Sequence, residues 1–163
     1  MSELGPRTAG AESRYEWLLA EIAKGARLHY GEHSEDPDLE LLLGDQHYAS
    51  GLAGLAALGD LEATAELADV ISLVAQAHAA GDAELAAAVW EAGKVAIGWG
   101  PSEAHEAAKE LARMGAPGAR QALLRGAARR RSDGTDPDPE QRVDGHANQC
   151  PSGASTSEPL ARG

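Results

Sequence analysis

From Glu40 to Gly81 the large apolar residues recur every three or four positions, which is the period of a helix and not the alternation of a strand. Leu41, Tyr48, Leu52, Leu55 and Ala56 share one face, with Glu40, Gln46, His47 and Ser50 around the other side. Ala63, Leu67, Val70, Ile71, Val74 and His78 repeat the pattern, opposite Glu66, Asp69, Ser72 and Gln76. The stretch therefore predicts two consecutive amphipathic helices packed as a hairpin. Their corner is Gly59-Asp60, where glycine can take the left-handed C′ conformation and the aspartate can cap the next helix. Gly81-Asp82 repeats the corner one helix later.

The same period extends outwards. Tyr15, Leu18, Leu19, Ile22 and Ala26 predict a helix over residues 11–30, after which comes a turn at GEHSEDPD in which Ser34 or Asp36 can cap the second helix. Asp82 opens a helix to about Ile97 that is apolar on most sides, with Leu85, Val89, Trp90, Ala92, Ala96 and Ile97 on its wide face and Glu84, Ala87, Glu91 and Lys94 on the exposed strip. Such a helix is central to a bundle or covered by another chain. Ser102 caps a shorter helix with Ala104, Ala107, Ala108 and Leu111 in a narrow stripe, and a last, basic helix runs from Ala119 to about Arg130. The reading is an all-α helical bundle over residues 11–131, with a disordered lead over residues 1–10 and a disordered tail over residues 132–163, where large apolar residues are too few to fold alone.

Two local features qualify that picture. Asp45 projects onto the apolar face of its helix, where an ionised carboxylate has to find a partner. Gly44, Gly51 and Gly54 each cost a helix roughly 1 kcal/mol relative to alanine, and along one edge they let another helix approach closely.

Charge and composition narrow the function classes. A net charge of −12 argues against nucleic-acid binding, because phosphate neutralisation needs clustered Lys and Arg. Between Arg27 and Lys94 there is no Lys or Arg, whereas Arg120, Arg125, Arg129, Arg130 and Arg131 gather in the last helix, where they are expected to complement the acidic surface or the helix dipole, with contact to phosphate or a membrane surface as the alternative. Only 4% of residues are aromatic and phenylalanine is absent, so an alanine-based core is thin for its length and stands to gain stability from a partner. No apolar run approaches the ~20 residues of a membrane span, and the first residues lack the regions of a signal peptide, so a cytoplasmic location is expected. Cys150 has no second cysteine to pair with.

The inventory of chemistry is short. The chain has no Gly-rich phosphate loop, G-x-S-x-G, H-E-x-x-H or paired aspartates. His29, His33, Asp36 and Asp38 are close in sequence but fit no established ligand spacing, and His47, His78 and His105 lie on helices without an obvious orienting carboxylate. Residue spacing alone delivers no reaction. An enzyme with a site of its own would need a polar pocket with paired titratable groups.

Leu43-Gly44-Asp45, Tyr48, Ser50-Gly51-Leu52, Leu55-Ala56, Gly59-Asp60, Leu67-Ala68 and Ile71 resemble the segment of trans-polyprenyl diphosphate synthases that comes after their first aspartate-rich helix. The similarity is closest to the small, non-catalytic subunit of two-component enzymes, of the heptaprenyl diphosphate synthase component I type. The resemblance implies a helical bundle resembling part of the isoprenoid synthase fold. It also implies a heterodimer with an aspartate-rich catalytic subunit, and a part in setting prenyl chain length for menaquinone side chains. Mg²⁺ and the allylic diphosphate would then be held by the partner, whose hard oxygen ligands neutralise the leaving pyrophosphate. Asp45, Tyr48, Gly51, Leu52, Leu55, Ile71 and Val74 become the candidates for subunit interface or product tunnel, with no catalytic or metal-binding residue on this chain. The alternative is a stand-alone acidic helical interaction or regulatory module.

Overall fold

A computed structural model describes residues 4–31 and 36–134; of the expected disordered tail over residues 132–163, Ser132 and Asp133 belong to the last helix and residues 135–163 lie outside the described residues, as do His33 and Ser34 of the turn. Within them the chain is all-helical: α1 Glu12–Tyr30, α2 Pro37–Leu58, α3 Leu61–Ala79, α4 Ala83–Trp99, α5 Glu103–Arg113 and α6 Ala119–Asp133. No helix among the described residues is long and apolar enough to cross a membrane.

The caps fall where side-chain chemistry puts them. Asp36, Asp60, Asp82 and Ser102 accept hydrogen bonds from the backbone N–H groups of Leu39, Ala63, Leu85 and His105, satisfying donors left open at the start of α2, α3, α4 and α5. Gly59 (φ 74°) and Gly81 (φ 73°) take the left-handed conformation that each corner needs.

The pairing of helices differs from the expected hairpin. α2 packs along α1, and α3 packs along α4, while α2 and α3 touch mainly near their corner. The glycine edge explains the difference, because it faces α1. A Cβ on Gly44 would lie 2.7 Å from the His29 ring, one on Gly51 2.5 Å from Ile22 Cδ1, and one on Gly54 2.1 Å from Leu18 Cδ2. These contacts make α1 and α2 antiparallel and bury Leu18, Leu19, Ile22 and Leu55 between them. Leu41 and Ala56, expected on the core face of α2, are exposed.

α4 is the centre of the bundle, touching α3, α5, α6 and the N-terminal segment, which accounts for its wide apolar surface. α6 lies across it and uses several of its arginines within the chain. Arg120 pairs with Glu84, and Arg130 donates to the carbonyls of Trp99 and Gly100, which have no partner in the helix they end.

Residues 4–10 of the expected disordered lead are structured. Residues 6–8 form a 3₁₀ turn, Thr8 is buried, and the Thr8 hydroxyl donates to Gly5 O. Arg7 fixes this strap by donating to Ile97 O at 3.2 Å, Asp60 Oδ1 at 3.3 Å and Glu62 Oε2 at 3.2 Å. The strap crosses α4 at Gly98, where a Cβ would lie 1.4 Å from Leu4 O. Polar residues in a short segment gave no periodicity from which to read this.

Candidate functional site

The chemically densest place lies between α3 and α5. Glu66 projects from α3 into the interface and is only 7% exposed. His105 Nε2 is 2.7 Å from Glu66 Oε1 and Lys109 Nζ is 2.7 Å from Glu66 Oε2, with both partners buried. The spacing of His105 and Lys109, four residues apart on α5, puts them one turn apart on one face, so a single carboxylate receives both. An ionised carboxylate can only accept, so His105 carries its hydrogen on Nε2.

The network continues to the surface. Lys109 Nζ also donates to Asp69 Oδ2 at 2.9 Å and lies 3.0 Å from Glu106 Oε1, so all three ammonium hydrogens have an acceptor. Arg113 reaches Asp69 at 2.9 Å, and Gln76 Nε2 donates to Arg113 O at 2.8 Å. Beside the network is a cleft of about 220 Å³ lined by Arg7, Glu62, Glu66, Asp69, Glu106 and Lys109 among others.

This is the pocket with paired titratable groups that an enzyme site would require, and its electrostatics fix the charges of Glu66 and Lys109. Burial by itself would raise the Glu66 pKa; the hydrogen bonds and charges of His105 and Lys109 outweigh it and hold the carboxyl below its ordinary value. Burial likewise opposes the charged form of Lys109, and the bonds to Glu66, Asp69 and Glu106 reverse that, holding the amine above its ordinary value. Neither group is poised to exchange a proton near neutral pH, as a general acid or base must be.

The ligand atoms of Glu66, His105 and Glu106 lie within 4.8 Å of one another, close enough to share a cation. Lys109 already places its ammonium against both carboxylates, so a divalent ion would have to displace it. The arrangement acts as a clamp that seats α5 on α3.

Sequence periodicity misplaced this cluster. Glu66 was expected on the outer face of its helix and His105 without an orienting carboxylate, whereas the two are partners; His47 Nδ1 is likewise 2.7 Å from Glu21 Oε2. On α5 the buried face is His105, Ala108, Lys109 and Ala112, while Ala104 and Ala107 are exposed. A stripe drawn from apolar residues alone turns α5 the wrong way, since mutual neutralisation lets charged residues take core positions.

The residues proposed for an interface or tunnel are split. Gly51, Leu55 and Val74 are buried by the chain's own helices, whereas Tyr48, Leu52 and Ile71 are half-buried. Asp45 is not on the core face: it is exposed and lies 3.1 Å from His29 Nε2, out of hydrogen-bond alignment. The His29 ring in turn stacks on Tyr48 with centroids 5.1 Å apart. The first turns of α2 are apolar and uncovered, with Leu39 50%, Leu41 40%, Leu42 68% and Leu43 39% exposed. In the antiparallel pair, Gly44 already faces His29 near the end of α1, so little of α1 is left to cover them.

No family model matches the chain, and no curated protein or solved structure matches it.

Proposed function

We propose that this chain is a non-catalytic helical subunit that docks on a catalytic partner through the first turns of α2, and that the partner is a polyprenyl diphosphate synthase. The observation that carries the docking is the uncovered cluster Leu39, Leu41, Leu42 and Leu43. Four large apolar side chains within five residues keep apolar area in water, which association removes at about 25 cal/mol per Å². The identity of the partner rests on the resemblance over residues 40–81, which begins at this same cluster. Contact then falls on the leucines and on the accessible parts of Asp45, Tyr48, Leu52 and Ile71, since Gly51, Leu55 and Val74 are occupied in holding the monomer together. Mg²⁺ and the allylic diphosphate belong to the partner in this reading, and this chain contributes shape to the product path.

The test is isoprenyl transfer with Mg²⁺, farnesyl diphosphate and isopentenyl diphosphate, using this chain, the candidate synthase from the same organism, and their mixture. Activity with a defined long product only in the mixture, together with a heterodimer mass by light scattering, supports the proposal. Leu42→Asp should abolish both while leaving the melting temperature of the free chain unchanged. Absence of complex and of any gain in activity removes the synthase reading. The second reading, an acidic interaction module, is favoured by the net charge of −12, with Arg120 and Arg131 of α6 already paired to Glu84 and Glu91 of α4.

A further inference from the structure

A second concavity, an open groove of about 300 Å³ sharing no residue with the leucine cluster, lies between α1, α3 and α4. Its floor is made of small side chains, Ala23 and Ala26 from α1 and Ala83, Ala86 and Ala87 from α4, with Val74 between them and the Trp90 ring forming a wall. Alanines at these positions leave unfilled the space that larger side chains would occupy. The volume is at the lower end of what small-molecule sites offer, about 300–1,000 Å³.

The polar part of the lining gives the ligand its charge. Among the described residues that line the groove, Arg27 and His78 are the only ionisable ones and none is an acid, in a chain carrying 26 Asp and Glu against 14 Lys and Arg. Among the described residues Arg27 enters no ion pair, unlike Arg7, Arg113, Arg120 and Arg131. The His78 ring is held in place by a parallel stack on Tyr30, with centroids 4.4 Å apart. A mostly apolar site with one guanidinium and one fixed imidazole at its edge suits a molecule that is apolar along its body and anionic at one end.

We propose that the groove between α1, α3 and α4 binds a small amphipathic anion, an apolar chain or ring bearing a carboxylate or phosphate, with its body on the alanine floor against Trp90 and its head at Arg27. The proposal is independent of the synthase reading, since it names a site on this chain alone.

The experiment is calorimetric titration of the full chain with decanoate, decyl phosphate and decanol, each below the concentration at which it aggregates, with tryptophan emission recorded in parallel. Saturable one-to-one binding of an anion with a shift in emission is expected, and the tighter of the two anions identifies carboxylate or phosphate as the head. Decanol should bind about tenfold more weakly, the scale of one charge-assisted hydrogen bond. Arg27→Gln, at an exposed position, should bring the anions down to the decanol level without altering decanol binding. Ala87→Phe, also exposed, should fill the groove and abolish binding of all three, with helical circular dichroism unchanged. Equal affinity for decanol and both anions, or anion binding untouched by either variant, overturns the proposal, as does the absence of saturable binding to any of the three.

Discussion

Lys109 Nζ lies 2.7 Å from Glu66 Oε2, with the two side chains 4% and 7% exposed. A charge pair this deep is costly to assemble from water and more costly to break, because the survivor is left desolvated without its counter-ion. Lys109→Met should destabilise the fold by about 3–5 kcal/mol. Glu66→Gln combined with Lys109→Met should cost less than Lys109→Met alone, since the amide still accepts from His105 and no bare carboxylate is left. Urea unfolding of the single and double variants checks this; strictly additive losses would mean that the two residues act separately.

The same network sets the pH range of stability. Burial opposes the charged forms of Asp60, Glu66 and Asp69, but hydrogen bonds and cations win, so the folded pKa of each lies below its ordinary value of 3.8 or 4.5. Their contribution is complete above those values and is lost as pH falls through the lower folded ones. Lys109 is shifted upward from 10.5, so its contribution is complete below that pH and fades as pH rises towards its folded pKa. The melting temperature should therefore be flat through neutrality and fall at both ends, and Lys109→Met should reduce the alkaline decline, the rest of which comes from tyrosines that ionise more readily once unfolded.

Tyrosine ionisation offers an independent check. Burial, with a hydrogen bond to Asp60 at 2.7 Å, pushes the Tyr15 phenol up to about 12, and burial raises Tyr30 and Tyr48 as well. With only 3 tyrosines in the chain, phenolate absorbance should stay low through pH 10 and rise only at higher pH or on unfolding. Tyr15→Phe should cost about 1 kcal/mol, the usual net value of one hydrogen bond.

Two glycines test the close approaches. In Gly98→Ala the new methyl would meet the Leu4 carbonyl, a backbone atom that cannot rotate away, so the strap has to lift; overpacking of this kind costs about 1–3 kcal/mol. In Gly54→Ala the methyl meets Leu18 Cδ2, the end of a buried side chain that can change rotamer where a backbone carbonyl cannot, and the helix gains about 1 kcal/mol of propensity to offset that shift. The first variant should melt earlier and expose the strap to limited proteolysis, while the second should stay within about 0.5 kcal/mol of the parent by urea unfolding.

Helix count and helix ends were legible from residues 11 to 131 because both are local. The caps of Asp60, Asp82 and Ser102 and the stops at Gly59 and Gly81 involve atoms only a few residues apart. The central place of α4 was legible too, since Val89, Ala92, Ala96 and Ile97 leave it no wide polar face. Partner choice was not. Gly44, Gly51 and Gly54 announce that some helix comes close, but nothing in their spacing says that it is α1.

The sequence by itself thus determined an all-α chain, its corners and its one wide apolar helix, through periodicity and capping that act over a turn or two. Only the tertiary structure decided that α2 leans on α1, that residues 4–10 strap α4, and that Glu66, His105 and Lys109 share a buried clamp. The physical reason is one of range. A charged residue reads as outward-facing until a partner 39 or 43 positions away neutralises it, and that pairing exists only once the helices have packed.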